Sequence, residues 1–179
     1  MRPEAIRICS SQGAEQLDVV RHLRYEVLRR PLGMPFEATL FDGDDLPSTQ
    51  HLIAFDDTAF DDIAFDDTAF DDTAFDRGRP IGCLTLLIPD SSMVAPDPGP
   101  IKVQLRGMAV LDLAQGRGIG SRMLCEVHHL ASIYGWHLWC NARQNAVPFY
   151  AKNGWRIQGE PFDIPKIGTH FAMGWEPKS

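Results

Sequence analysis

The spacing of apolar residues changes along the chain, and each change marks an element. In residues 2–10, Ile6 and Ile8 alternate with Arg7, which predicts a first strand. Residues 14–30 switch to helical spacing, with Leu17, Val20, Leu23 or Arg24, Val27 and Leu28 on one face and charges opposite. Pro31 and Gly33 stop this helix. Residues 35–49 read as a loop with room for one helical turn, and residues 51–55 and 80–88 read as strands. Residues 90–100 are a turn-rich loop with three prolines, followed by a strand over 102–110. That strand breaks its own pattern: Ile101, Val103 and Leu105 are odd, while Met108 and Val110 are even. One extra residue near Arg106–Gly107 restores both halves to one face, which predicts a β-bulge. A bulge turns a strand from its neighbour and frees backbone groups to pair elsewhere.

Residues 118–134 carry the longest apolar stripe (Ile119, Met123, Leu124, Val127, Leu130, Ala131, Tyr134), and Gly135 supplies a C-cap. Residues 136–140 read as a short buried strand, and 145–152 as a short helix ended by Asn153 and Gly154. Strands over 155–158 and 170–175 complete the order β-α-β-β-β-α-β-α-β-β. This is a mixed α/β arrangement, one sheet with helices on its faces.

A length of 179 residues with 44% hydrophobic content predicts one domain over 1–179 with a real core. No apolar run reaches the ~18 residues of a membrane span. The first ten residues lack a basic start followed by an apolar run, so no signal peptide is expected. Cys9, Cys83, Cys125 and Cys140 are scattered without metal-ligand spacing, and are expected to be reduced and mostly buried. Together these point to a cytoplasmic protein with no membrane partner.

The net charge of −7 comes from one segment. Residues 56–79 hold nine Asp and two Arg; the rest of the chain carries 15 acidic and 15 basic residues. The folded body is therefore neutral and offers no basic face to nucleic acid. Residues 54–76 repeat the pentad AFDDT, with one AFDDI. A five-residue period matches neither helix nor strand, and the run is too short for a pentapeptide β-helix. Between two strands it reads as a hairpin insertion, with an ordered flap or a metal contact as alternatives.

The candidate chemistry lies in the glycine turn Gln115–Gly120, QGRGIG, between the bulged strand and the long helix. Glycines expose backbone N–H groups, and a helix N-terminus adds partial positive charge, which suits a phosphate. A P-loop requires Lys-Ser/Thr after the glycines, but Ser121-Arg122 follows. A dinucleotide turn belongs in the first βα unit with an acid after the next strand, and Asn141 stands there. A plain glycine cap remains the alternative.

Gln115-x-x-Gly118-x-Gly120 resembles the Q/R-x-x-G-x-G/A pyrophosphate signature of the GNAT superfamily of N-acyltransferases, and NAVPFYAKNGW over 145–155 resembles its second signature. The sequences MAVLDLAQGRGIGSRML, CNARQNAVPFYAKNGW and FDIPKIGTH are further similar to the small bacterial ElaA-like branch. The resemblance covers about residues 1–55 and 80–175; the pentads have no counterpart. Pro148 inside the short helix and Trp155 in place of Phe are small departures.

The resemblance implies a GNAT fold: a mostly antiparallel sheet of about seven strands, helices on both faces, splayed between strands 4 and 5. It implies acetyl-CoA as cosubstrate, an amine acceptor, and a homodimer as a possible assembly. The coenzyme side would comprise Met108, Ala109 and Val110 pairing with the pantetheine arm, the turn Gln115, Gly116, Arg117, Gly118, Ile119, Gly120 and Ser121 holding the pyrophosphate, and Asn141 and Asn145. Arg117 and Arg122 would add charge, Arg117 being otherwise a solvated helix-end residue. Tyr150 would protonate the leaving thiolate, or be a core tyrosine. Asn145 would contact the arm or position the tyrosine, or cap the helix. The strand before the turn offers Lys102, Gln104 and Arg106 but no carboxylate base. His170 would serve as base, or pack at a strand start. Tyr25 and Glu26 would line the acceptor side or face solvent, and His128 and His129 read as a partly exposed helix face. The expected activity is N-acetyl transfer to an amine; a non-catalytic acyl-CoA sensor on the same fold is the alternative.

Overall fold

The computed structural model describes residues 6–58, 78–89 and 99–178. The pentads over 59–77, the first residues of the expected opening strand and most of the proline loop lie outside the described residues. Eight strands form one sheet: β1 (Ile6–Gln12), β2 (Gln50–Asp56), β3 (Arg79–Leu87), β4 (Lys102–Val110), β5 (His137–Arg143), β6 (Arg156–Ile157), β7 (Phe162–Ile164) and β8 (Gly168–Trp175). The order is β1-β2-β3-β4-β5-β8-β6, with β7 also on β8. All pairings are antiparallel except β4–β5. The eighth strand is β7, which the sequence pattern does not reveal because it is only three residues long.

The sheet is split between β4 and β5. They pair only at Lys102↔His137, Val103↔Leu138 and Gln104↔Trp139. Beyond that, β4 follows β3 to Gly82↔Val110 and β5 follows β8 to Arg143↔His170. The bulge lies where the apolar phase slips. Between Cys83↔Ala109 and Thr85↔Arg106, two steps on β3 face three on β4. Gly107 takes up the extra residue at φ +58°, in the left-handed region that disfavours a side chain.

The expected helix over 14–30 is three pieces. Gly13 and Gln16 are both left-handed, so α1 starts late, at Leu17–Arg24. A π-turn follows over Tyr25–Arg29, and a 3₁₀ turn over Arg30–Leu32. Pro31 has no N–H to give the carbonyl of Val27, so the ladder widens before closing. The long helix α2 (Ile119–Tyr134) runs as its stripe predicts, buries Ile119, Met123, Leu124, Val127 and Ala131, and ends at left-handed Gly135. The third helix, α3, is Val147–Lys152. The core fills the space between α1, α2 and the sheet, with Val20, Leu23, Ile53, Leu84, Leu86, Val103, Met123, Leu124 and Met173 almost fully buried. Of the four free cysteines, Cys83 and Cys140 are buried, Cys9 is half-buried and Cys125 is exposed. Among the described residues, no helix is long and apolar enough to cross a membrane.

His128 ties α2 to the far edge of the sheet. Its ring stacks on Trp175 at 4.1 Å, and Trp155 Nε1 donates to its Nε2 at 2.9 Å. The role of Trp155 is thus specific: a phenylalanine could not make this bond. Burial lowers the His128 pKa from 6.5 to about 4. The unfolded chain therefore binds the proton more readily between these values. The stability from neutral His128 is fully present above pH 6.5 and is lost as pH falls towards about 4. In His128→Gln, which retains an acceptor for Trp155, the loss of Tm between pH 6.5 and 4.5 should be shallower than in wild type, by differential scanning calorimetry; parallel curves would exclude this role.

Candidate active site

The split between β4 and β5 opens as two adjoining clefts. The larger, about 600 Å³, runs from Met108, Ala109 and Val110 on β4 to the N-terminus of α2, with Asn145, Phe149 and Tyr150 opposite. The smaller, about 290 Å³, lies between Gln104–Met108 on β4 and Cys140–Arg143 on β5, with Ile164, Ile167 and His170 across it. Leu28, Met108, Arg143, Ala146 and Tyr150 line both.

At the end of the larger cleft, Gly116 (φ +75°) and Gly118 (φ +77°) hold the turn in left-handed geometry. Apart from their chain neighbours, no heavy atom of the described residues lies within 4 Å of where their Cβ atoms would be. Gly118 is the N-cap of α2, without a side-chain cap and with no acid in the first turn. The amides of Ile119, Gly120 and Ser121 have no carbonyl four residues back within the helix to bond. Open space, free donors and the positive end of a sixteen-residue helix make this a seat for an anion. Gly120 sits nearer the side walls, where a Cβ would come within 3.0 Å of Phe149 and 3.3 Å of Met108.

Three residues expected at this seat are otherwise engaged. The Gln115 amide N–H donates to the Leu111 and Asp112 carbonyls. Its side chain donates to the Val110 carbonyl at 3.0 Å and the Asp112 carboxylate at 2.8 Å, so Gln115 braces the turn. Arg117 pairs with the buried Asp56 carboxylate at 2.9 Å, and Arg122 donates to the Ile6 carbonyl. Both guanidinium groups are turned to the β1–β2 side, where they find acceptors.

Tyr150, on α3, is buried at the seam between the clefts. Its hydroxyl donates to Met108 Sδ at 3.6 Å. Burial raises its pKa well above the ordinary value, reinforced by the charge and hydrogen bonding of the neighbouring Cys140. Burial likewise pushes the Cys140 thiol up to about 12. The phenol therefore stays protonated throughout the neutral range. Phe149 and Trp155 pack edge-on to its ring, each at 5.3 Å, and fix its plane.

His170 pairs with Arg143 at the end of the β5–β8 ladder and lines the smaller cleft. Its Nδ1 lies 2.7 Å from the Gly168 carbonyl. A carbonyl only accepts, so the bond selects the tautomer with the proton on Nδ1, in which Nε2 is the acceptor nitrogen. Asn141 lines this smaller cleft with His170, away from the α2 turn. Asn145 is exposed on the larger cleft; the N-cap of α3 is Ala146.

The π-turn changes which residues of the first helix face the site. Val27 and Leu28 line the larger cleft, and Leu28 and Arg29 the smaller. Tyr25 packs against Phe36, and Glu26 pairs with Arg30 at 2.6 Å. The sequence offered no sign of this rotation except Pro31. Arg143 and Phe149 were also missed, although both belong to the stretch CNARQNAVPFYAKNGW over 140–155. Among the described residues, no group of three or more His, Cys, Asp or Glu is placed to hold a metal ion.

Residues 68–157, half of the chain, match the family model described as "Acetyltransferase (GNAT) domain"; the chain belongs to this family. It is 44% identical over 71 residues to the Bacillus subtilis (strain 168) protein named Uncharacterized N-acetyltransferase YitI. That match covers 39% of this chain and 48% of the relative, so the chain spans about half the length of the curated protein it resembles. The fold is similar to that of Escherichia coli ElaA (TM-score 0.68, 17% identity, 96% of this chain and 99% of that one). It is also similar to an aminoglycoside 6'-N-acetyltransferase complexed with coenzyme A (TM-score 0.58, 12% identity, 96% and 99%).

The geometry of the split rests on Gly107. A Cβ there would lie 2.8 Å from Cζ of the buried Arg24 and closer still to its Nε. Gly107→Ala should combine left-handed strain with displacement of that guanidinium, and lower stability by about 2–4 kcal/mol. Urea unfolding measures this; a change under about 0.5 kcal/mol would show that the bulge tolerates a side chain.

Proposed function

We propose that the protein transfers the acetyl group of acetyl-CoA to a primary amine of a small molecule or protein by direct attack. The observation that carries this reading is the Tyr150 phenol, kept protonated by burial, at the seam between a cleft that ends on an anion seat and a second cleft open to an acceptor. The pyrophosphate would sit on the free amides at the start of α2, and the arm would lie along Met108–Val110, where β4 keeps β3 on one side but has no strand on its β5 side beyond Gln104. The amine would enter through the smaller cleft and attack the thioester carbonyl. The C–S bond breaks, and the departing thiolate takes its proton from Tyr150. His170 Nε2 takes the proton that the amine sheds, directly or through water.

The reading includes one domain over 1–179, with 56–79 as an acidic insertion between β2 and β3. The pairing of Asp56 with Arg79 supports a hairpin base there. It also includes a cytoplasmic setting, no nucleic-acid or membrane partner, and a homodimer as a possible assembly.

Release of free thiol from acetyl-CoA, measured over a panel of amines, tests the activity. Tyr150→Phe should lower kcat about a hundredfold between about pH 6 and 9, with the KM for acetyl-CoA within about twofold. Wild-type turnover by Tyr150→Phe across that range would remove the acid. Tight acetyl-CoA binding with no thiol release from any amine would point to a sensor instead.

A further inference from the structure

Among the described residues, the smaller cleft is lined by three arginines, Arg29, Arg106 and Arg143, and by no carboxylate. Among the described residues, Arg29 donates only to the Ala38 and Leu28 carbonyls, at 2.9 and 3.3 Å, and Arg143 only to the Leu28 carbonyl, at 2.9 Å. The two guanidinium groups thus meet on one carbonyl oxygen. Neither is in a salt bridge with a described carboxylate.

The charge behind them is not balanced. Phe41 gathers Arg24, Arg29 and Arg106 around its ring, at 4.3, 5.3 and 5.7 Å. The buried carboxylate among them is Asp44, which is shared between Arg24 at 2.5 Å and Arg106 at 2.8 Å. Exposed Asp42 gives Arg106 its carbonyl and a weaker field. The Arg106 Nε is buried with no hydrogen-bond partner among the described residues. A guanidinium cannot shed its proton at neutral pH, so these groups remain cationic and undercompensated beside an open cavity. Burial lowers the pKa of Arg29, and the neighbouring Arg143 and Arg24 lower it further, the mark of like charges held together.

We propose that the acceptor is a small amine carrying an oxyanion, a carboxylate or a phosphate, which the Arg29–Arg143 pair grips in the smaller cleft while its amine faces the seam at Tyr150. This deepens the acetyltransferase reading and rests on it. The coenzyme arm expected at the seam is uncharged, so it does not supply the missing counterion. A planar guanidinium matches both oxyanions with two parallel hydrogen bonds. The cavity of about 290 Å³ suits a molecule of amino-acid size, and Ile164 and Ile167 offer its side chain an apolar wall. A polyamine would meet repulsion here.

Acetylation is measured with two matched pairs, leucine against leucinamide and O-phosphoethanolamine against ethanolamine, and with spermidine. The amine of leucinamide is less basic and more often deprotonated, which biases the first pair against the expected result. At least one anionic member should exceed its neutral partner by about tenfold or more in kcat/KM, and which pair shows it identifies the oxyanion. Arg143→Gln should raise KM for that acceptor and collapse the preference. Arg143→Lys should keep part of it, since charge survives without the fork. Turnover of neutral or cationic amines without preference for either anion overturns this inference and leaves the acetyltransferase reading standing. No thiol release with any amine defeats the acetyltransferase reading itself.

Discussion

One buried side chain fixes the geometry of this fold. Arg24 comes from the end of α1, packs against the backbone of Gly107 and donates to the Thr39 carbonyl, the Thr85 hydroxyl and the Asp44 carboxylate. Its side chain is fully buried, as is that of Asp44. Burial alone would raise the Asp44 carboxyl, but the bond and charge of Arg24, with the field of Arg106, hold it below the ordinary range and ionised. His51 reaches the same knot through Thr85 and the Asp44 carbonyl. A desolvated ion pair of this kind adds little net stability, but losing either partner strands a charge. It therefore acts as a register pin. It lets β4 run past β3 only with an extra residue at position 107, and the bulge turns the end of β4 from β5. Both clefts follow from that turn.

The same logic explains how charge is distributed around the site. The arginines of the glycine turn, Arg117 and Arg122, find acceptors on the β1–β2 side, so the anion seat is built from backbone amides. The guanidinium groups on the other side of Met108 and Tyr150, by contrast, have too few carboxylates. The far end of the larger cleft thus presents amide dipoles, while the smaller presents the ionic forks of Arg29, Arg106 and Arg143, the last of which also reaches the larger cleft.

Much of this was legible before any coordinates. The phase slip between Leu105 and Met108 located the bulge because side chains in a strand alternate strictly, so one inserted residue leaves a visible scar. The stripe from Ile119 to Tyr134 gave α2, and three glycines gave the turn at its start. What escaped was decided by tertiary contacts. The π-turn over Tyr25–Arg29 carries normal helical spacing, and only Pro31 hints that the ladder must widen. Asp44 sits in a segment with no periodicity at all, yet it is one of the most buried residues in the protein. The partner of Arg117, Asp56, lies sixty-one residues away, and nothing in the sequence around the turn reveals it. Strand β7 is too short to leave a pattern.

The central claim is that the open β5-side edge at the end of β4 and the start of α2 together form the seat of one extended ligand, acetyl-CoA. Hydrogen–deuterium exchange of the full chain, with and without saturating acetyl-CoA, tests it most directly. The account predicts that the amides around Met108–Val110 and those of Gly116–Ser121 gain protection together. Protection confined to other segments, or none under saturating conditions, would contradict it.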